Sequence, residues 1–467
     1  MSVKIGLEIH CQLTQLKTKL FCACSSDYRD KEPNELVCPV CFGIPGTLPV
    51  LNEKAVEYAV RIALALNCRI AGTTTFYRKN YFYPDLTKNF QISQYDKAGG
   101  VPIASDGHVQ LDKKRVRIRR VQLEEDPGKL TYEGTIDKSS YSLVDYNRAG
   151  IALVEIVTEP DFESAKEAKV FLEKLRSTVE SLGVANGELE GAMRCDANVS
   201  VGGGGRVEVK NISSFKEVEK ALNYEILRQS TFSEAHAAAA NETRHWDERR
   251  SITISLRLKE GEQDYRYFPE PDLPPVILTE EMVAGFKQAM PEVPESRAQR
   301  YVEEYGLSPQ VAMELSRNPA LSRFFEQTVL SLKNGPEAAN WVVGESREHI
   351  ERMLAGGDSK VSPENLARLL RMVVDDKLTR PQAREIFRQM LATGKSAHEL
   401  VSKTGAGVVN DEAAIGEIVD RVLKESGLGV KAKDDPKAFN YLIGLTLKSE
   451  KRADPKVVAK VIRSRLG

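Results

Sequence analysis

Val3-Lys-Ile-Gly-Leu-Glu-Ile-His-Cys-Gln-Leu13 has apolar residues at every odd position and Gly6, Glu8, His10 and Gln12 at the even ones. Side chains alternate across a strand, so one face of this segment suits a core. The other presents a carboxylate and an imidazole about 7 Å apart. A strand with one wet face can also carry two such groups simply solvated, so the segment alone leaves both readings open. The same period of two returns at Val116 to Leu123, Ile151 to Val157, Ala197 to Val201, Arg206 to Lys210 and Ile252 to Leu258, separated by Gly, Pro and Asp turns. Two stretches, Ser164 to Leu182 closed by Gly183 and Phe215 to Arg228, have helical spacing instead. The long front region therefore reads as α+β.

After Pro269-Glu-Pro-Asp-Leu-Pro-Pro275 the alternation stops, and from about Pro291 only helical spacing remains. Ser362-Pro363 and Thr379-Arg-Pro381 each read as a cap followed by proline in the first turn, where its missing N–H costs nothing. Gly405-Ala-Gly407 is a soft joint before a short tail. The expectation is a sheet-based domain over 1–291, an all-helical domain over 292–404 and a small helical domain over 405–467.

A chain of 467 residues exceeds what one core usually organises. With 41% hydrophobic and 28% charged residues, and no apolar run near the roughly 18 residues a membrane helix needs, a globular protein is expected. The opening alternation is unlike a basic stretch followed by an apolar block, which points to the cytoplasm. The net charge of −1 conceals an uneven distribution: Lys424 to Gly467 holds 11 Lys/Arg against 5 Asp/Glu. That end can meet a polyanion.

Four of the seven cysteines lie within 20 positions: Cys22-Ala-Cys24, then Cys38-Pro-Val-Cys41. Two closely spaced thiol pairs can close one tetrahedral thiolate site, and zinc in a structural role is the expected ion. Cys11, Cys68 and Cys195 stand apart among apolar residues and read as buried.

Three further segments carry chemistry. In Arg115-Val-Arg-Ile-Arg-Arg-Val-Gln-Leu-Glu-Glu-Asp-Pro-Gly128 the alternation slips by one at Arg119-Arg120, as a β-bulge would do, leaving Glu124 on one face with Arg120 and Gln122. Ile151-Ala-Leu-Val-Glu-Ile-Val157 is apolar on both faces except for Glu155. A carboxylate there has to be paired, protonated or metal-bound, and a salt bridge to an arginine is the alternative to an ion. Alternation groups Asp196, Asn198 and Ser200 on one face, and Arg206, Glu208 and Lys210 on another. One histidine and several carboxylates on strand faces suit a hard divalent ion such as Mg²⁺. The run Gly202 to Gly205 lacks the Lys-Ser/Thr of a phosphate loop and reads as a hairpin tip. Phe76-Tyr-Arg-Lys-Asn-Tyr-Phe-Tyr-Pro-Asp85, followed by Phe90-Gln-Ile-Ser-Gln-Tyr95, mixes aromatic, basic and amide groups that can line a cleft.

These segments, together with Ser142-Leu-Val-Asp-Tyr-Asn-Arg148, Glu155-Ile-Val-Thr-Glu-Pro160, Arg194-Cys-Asp-Ala-Asn198 and Tyr265-Arg-Tyr-Phe-Pro-Glu-Pro-Asp272, resemble the B subunits of aspartyl/glutamyl-tRNA amidotransferases. Pro436 to Gly444 and Asp454 to Val458 extend the resemblance along essentially the whole chain. It implies a kinase-like cradle, a helical domain and a YqeY-like basic tail. It also implies a ligase that uses ATP and Mg²⁺ to phosphorylate the free carboxylate of Asp-tRNA(Asn) or Glu-tRNA(Gln), after which ammonia displaces the phosphate. On this resemblance His10, Glu124 and Glu155 are the Mg²⁺ ligands, with Glu8 and Asp196 nearby. Glu8, Arg194, Asn198 and Lys210 face the nucleotide, and Lys79, Tyr81 and Tyr83 lie near the mouth of an ammonia channel. The zinc site supports the surface that receives the tRNA acceptor end, and Lys448, Lys451, Arg452 and Lys456 contact tRNA.

Two departures are visible. Gly202 stands where the family often has an arginine and a longer loop, and Gly444-Leu-Thr-Leu-Lys448 stands where Gln and Met are frequent. The Ala-rich stretch from Ser233 to Asn241 carries no part of the resemblance. The chain shows neither a Cys-His pair suited to glutamine hydrolysis nor a Ser-Ser-Lys arrangement. Ammonia is therefore expected from elsewhere, and the resemblance implies an amidase-type A subunit as its source, with a small C subunit as a further partner. A zinc-stabilised tRNA-binding scaffold without catalysis is the competing class, and a metal-dependent hydrolase a more distant one.

Overall fold

A computed structural model describes residues 1–97, 99–111, 114–133, 139–234, 241–258, 265–354, 361–404, 412–428, 432, 435–450, 453 and 455–466. The expected joint at Gly405 to Gly407, the alanines of the Ala-rich stretch, and Lys451 and Arg452 lie outside these residues. The chain divides into two compact units, Met1–Pro294 and Glu295–Gly467.

The first unit holds strands β1 (Val3–Gln12), β2 (Arg69–Ile70), β3 (Thr73–Thr74), β4 (Tyr77–Asn80), β5 (Phe90–Ser93), β6 (Ala104–Leu111), β7 (Lys114–Glu125) and β8 (Lys129–Tyr132). It continues with β9 (Ser142–Asp145), β10 (Ala152–Thr158), β11 (Met193–Val201), β12 (Val207–Ile212), β13 (Glu242–Asp247), β14 (Ile252–Leu258), β15 (Phe268–Pro269) and β16 (Val276–Ile277). Nine of them form one sheet in the order β14-β13-β12-β11-β1-β10-β7-β6-β2. The strand with the strictest alternation is thus central, antiparallel to β10 on one side and to β11 on the other. Its odd-numbered residues Ile5, Leu7, Ile9 and Cys11 are at most 1% exposed, in one core with helices α1 (Glu53–Ala65), α2 (Ala165–Ser181) and α3 (Phe215–Glu234).

Helix α2 starts where Ser164 accepts a hydrogen bond from the Glu167 N–H and ends before Gly183, whose φ of 66° an L side chain rarely adopts. Helix α1 is an addition to the two helices expected in this region. Its signal is present in the sequence, because Asn52 caps the N–H groups of Lys54 and Ala55 and the buried residues follow helical spacing. A short helix, α4 (Glu280–Gln288), closes the unit. The β-bulge expected at Arg119-Arg120 is there: Val157 faces Arg120 and Thr158 faces Ile118. Gly202 and Gly203, with φ of 64° and 78°, turn the chain between antiparallel β11 and β12, as expected of a hairpin tip.

Among its described residues the second unit is helical throughout: α5 (Pro294–Tyr305), α6 (Pro309–Arg317), α7 (Pro319–Leu332), α8 (Gly335–Val343), α9 (Arg347–Leu354), α10 (Pro363–Val374), α11 (Arg380–Thr393), α12 (Ala397–Thr404), α13 (Glu412–Ser426), α14 (Pro436–Ser449) and α15 (Pro455–Leu466). Ser362 caps α10, and Thr379 forms a reciprocal capping box with Gln382 at α11. Two separate apolar clusters form here, one around Phe325, Trp341 and Leu370 from α5 to α12, the other around Val419, Leu442 and Ile462 from α13 to α15. No helix among the described residues is long and apolar enough to cross a membrane.

One buried acid ties the ends of three central strands, β7, β1 and β11, to the loop before β10. Asp126, 1% exposed, accepts hydrogen bonds from Gln12 at 2.6 Å and Arg194 at 2.7 Å, and Arg148 lies 3.8 Å away. Burial opposes its charge, but Arg194, Arg148 and Gln12 prevail and hold the carboxyl below its usual range. Asp126→Asn is expected to lower unfolding stability by about 2 to 3 kcal/mol, somewhat under the loss for a fully buried pair because Arg194 keeps partial contact with water. A depressed folded pKa contributes stability above the unfolded value near 3.9, and that contribution is lost as pH falls. The deficit in urea unfolding should therefore be full at pH 7 and shrink below about pH 4.

Candidate active site

Burying the odd residues of β1 commits Glu8, His10 and Gln12 to the opposite face, and antiparallel pairing sets their neighbours. His10 lies opposite Glu155 of β10 and Arg194 of β11, while Glu8 lies opposite Val157 and Asp196. One strand further, Glu155 pairs with Gln122 and Leu153 with Glu124 of β7. Partners in register share a face, so residues from four strands converge.

His10 Nε2 lies 3.6 Å from Glu8 Oε1, 3.8 Å from Glu155 Oε2 and 3.9 Å from Glu124 Oε1. Ligand atoms of Glu8, His10 and Glu155 are all within 4.8 Å of one another. Glu124 and Glu155 are nearly buried, at 3% and 6% exposure. Burial, and then the neighbouring Glu155, push the Glu8 carboxyl above its usual range despite His10 and Lys210. Three carboxylates around one imidazole repel each other and favour a cation among them; at 3.6 to 3.9 Å they stand wider than the roughly 3 Å of adjacent ligands around a 2.1 Å octahedral ion, so they would draw inward on binding one. The donor set of Glu8, His10 and Glu155 fits a hard divalent cation, and Glu124 approaches it from the imidazole side without belonging to the set whose ligand atoms all lie within 4.8 Å of one another.

The salt-bridge reading of Glu155 is met, because Oε1 accepts a hydrogen bond from Arg120 at 3.1 Å, while Oε2 faces His10 at 3.8 Å. Asp196 and Lys210 form a pair at 2.7 Å, with Glu208 3.3 Å from the same ammonium. Burial disfavours the charge on Lys210, but Asp196 and Glu208 outweigh it and hold the ammonium above its usual range. Arg194 is engaged by Asp126, and Asn198 lies four residues further along β11, beyond Asp196 and opposite Gly6.

The aromatic segment borders the cluster. Lys79 Nζ sits 4.9 Å from the Tyr265 ring centroid and 5.6 Å from that of Tyr81, and Tyr95 stacks on Tyr267 at 3.9 Å. Burial would lower the Lys79 ammonium, but Glu124 above all, with Glu155, raises it, so Lys79 is a fixed cation facing the carboxylates. The segment Tyr265 to Asp272 is fastened to β4 by a bidentate Arg78–Glu270 pair at 2.7 Å on both arms. Tyr83 does not join this group: it is 47% exposed and lines a separate cavity of about 370 Å³ with Phe42, Phe82 and Tyr146.

Cys22, Cys24, Cys38 and Cys41 bring their sulfurs within 4.8 Å of one another, and Cys24 Sγ to Cys41 Sγ is 4.0 Å. Sulfurs around a tetrahedral zinc at 2.3 Å are about 3.8 Å apart, so the cluster fits that ion. The Cys38 N–H donates to Cys41 Sγ at 3.2 Å. Lys19, fully buried, places its ammonium 3.6 Å from the same sulfur and 2.9 Å from the Leu36 carbonyl. A hydrogen bond from Cys22, then the Cys38 N–H and Lys19, draw the Cys41 thiol well below its usual range against its own burial. Cys11, Cys68 and Cys195 are buried, and burial pushes Cys11 and Cys68 up to about 12.

Sequence reading misses the partners more than the ligands. Ser93 donates to Glu124 Oε2 at 2.8 Å, and Asp96 to Arg120 is 3.2 Å. Ser93 sits within the aromatic and amide-rich stretch Phe90 to Tyr95, but nothing local tells that its hydroxyl meets a carboxylate on β7. Lys19 is indistinguishable in the sequence from exposed Lys17. In the tail Lys448 and Lys456 are exposed, whereas Lys451 and Arg452 lie outside the described residues.

Residues 3–284 match the GatB/GatE catalytic domain family, and residues 323–466 match the GatB domain family. The chain is 48% identical to the aspartyl/glutamyl-tRNA(Asn/Gln) amidotransferase B subunit of Saccharolobus solfataricus, over 100% of this chain and 99% of that protein. The corresponding B subunits of Thermotoga maritima (45%, over 99% and 98%) and Methanococcoides burtonii (43%, over 98% and 97%) are similar over the same extent. End-to-end identity at this level, over a site whose carboxylates and imidazole converge from three strands, makes this chain a member of the B subunit family of aspartyl/glutamyl-tRNA(Asn/Gln) amidotransferases.

Proposed function

We propose that the polar face of the large sheet phosphorylates the free carboxylate of Asp-tRNA(Asn) or Glu-tRNA(Gln), and that ammonia from an amidase-type partner then displaces the phosphate to leave the amide. The observation that carries this reading is the meeting of His10, Glu8, Glu124 and Glu155 within 3.9 Å of the imidazole nitrogen. Magnesium-ATP, when bound, supplies the phosphoryl group and neutralises its charge as it transfers. His10, Glu124 and Glu155 would hold the cation, with Glu8 beside them and Asp196 near a second position. Lys210, Arg194 and Asn198 lie next along the same face and would steady the nucleotide. The work of these side chains is positioning and charge balance.

Lys79, held charged among Tyr81 and Tyr265, favours passage of neutral ammonia over ammonium toward the acyl phosphate, and the aromatic wall keeps water from it. Cys22, Cys24, Cys38 and Cys41 would hold a structural zinc whose net negative charge Lys19 partly offsets. The first unit would act as the cradle over 1–291. The helical domain over 292–404 and the basic tail over 405–467 would complete the chain, the tail with Lys448 and Lys456 gripping tRNA in a cytoplasmic complex with A and C subunits.

Reconstituted with its partners, the chain should release ADP only when charged tRNA is supplied. His10→Ala and Glu124→Ala should each lower that rate at least about a hundredfold while the complex stays assembled. Undiminished ADP formation would leave only a tRNA-holding role. Metal analysis should find about one zinc per chain, lost in Cys41→Ser together with thermal stability. An unaltered melting temperature after zinc removal would deny the cluster its structural role. Deleting Lys424 to Gly467 should weaken tRNA binding and flatten the slope of log K against log salt by about 1 for each phosphate no longer neutralised. An identical slope would mean that the tail is only a solvated basic surface.

A further inference from the structure

The bulge in β7 changes which face Arg120 occupies. Val116 and Ile118 point into the core, and strict alternation would send residue 120 in after them. Because Arg119 is the extra residue, Arg120 comes into register with Val157 and joins the polar face beside Glu155. Its guanidinium then bridges Glu155 Oε1 at 3.1 Å and Asp96 Oδ2 at 3.2 Å. With Arg120 on one oxygen, Glu155 turns the other, Oε2, toward His10 at 3.8 Å. Glu124 is divided in the same way, Oε2 held by Ser93 at 2.8 Å and Oε1 turned to His10 at 3.9 Å.

We infer that Arg120, with Ser93 in the parallel place, is a positioning residue that makes Glu155 and Glu124 one-oxygen ligands and so tunes the centre to a small octahedral cation over a larger one. This rests on the reading of the carboxylate–histidine cluster as a cation site. A small ion demands single oxygens in near-octahedral places, whereas a larger ion such as Ca²⁺ takes six to eight oxygens and accepts both from one carboxylate. Occupying one oxygen of each carboxylate removes the two-oxygen mode. Partners of this kind typically change metal affinity 10- to 100-fold. A β-bulge that re-aims a charged side chain at a functional face is a recurrent device.

The test is cation binding by the full chain without nucleotide, read by electron paramagnetic resonance of Mn²⁺ and by its displacement with Mg²⁺ or Ca²⁺. Wild type should bind Mn²⁺ and prefer Mg²⁺, and His10→Ala should lose the bound signal. Arg120→Met should weaken Mn²⁺ and Mg²⁺ about tenfold or more while Ca²⁺ is retained or tightened, so that the Mg²⁺/Ca²⁺ preference falls by at least that factor. Arg120→Lys should restore part of it. Ser93→Ala should shift the preference the same way, and it decides the matter should Arg120→Met fail to fold. Equal losses for both cations, or an unchanged preference in both Arg120→Met and Ser93→Ala, would overturn the positioning role while leaving the site reading intact. Mn²⁺ binding that survives His10→Ala would instead overturn the site reading, and the inference with it.

Discussion

The central constraint is the two-residue period of β1. Once Ile5, Leu7, Ile9 and Cys11 are sealed beneath helices, Glu8, His10 and Gln12 have no choice of face. A shift of one residue would bury the imidazole and carboxylate in hydrocarbon and expose the aliphatic row, at a cost of many kcal/mol. The register of β10, β11 and β7 follows from the same requirement, because each must present its own apolar row to the helices. Their polar rows then fall beside that of β1, and this alignment assembles the cluster.

Placing so much charge on one face creates a second requirement. Each ionised group needs a partner, since an unpaired charge in a nearly dry setting is prohibitive. Asp126 is met by Arg194 and Gln12, Asp196 and Glu208 by Lys210, and Glu155 by Arg120. The carboxylates around His10 are left with one oxygen each turned inward and too little positive charge among them, the condition under which a cation binds. Lys79 contributes a positive charge from the aromatic side. Lys19 does the corresponding service for the thiolates, buried completely yet supplied with carbonyl and sulfur acceptors.

The six alternating segments, the helix stop at Gly183 and the caps at Ser362 and Thr379 are all legible in the sequence, because each depends on local periodicity or backbone chemistry. The slip at Arg119-Arg120 is legible for the same reason: two charged residues in succession break a period of two. The helix Glu53–Ala65 is easily passed over although Asn52 announces it. Glu155 is readable as anomalous, a lone charge in an apolar strand, but its two partners are not. The tyrosine stack and the Arg78–Glu270 fastening join segments separated by well over a hundred positions, and no local pattern encodes such a meeting.

By itself, then, the sequence determined which side chains share a face within each strand, the helical character of the back of the chain and the pairing of thiols into two bites, since these follow from the geometry of neighbouring residues. Only the tertiary structure decided which strands lie next to β1, and hence that His10 faces Glu155, that Ser93 and Arg120 each hold one carboxylate oxygen, and that Lys19 rather than Lys17 is sealed against the cysteines. The physical reason is range: periodicity is set over two to four residues, whereas charge partners are chosen by sheet order and packing across the whole unit.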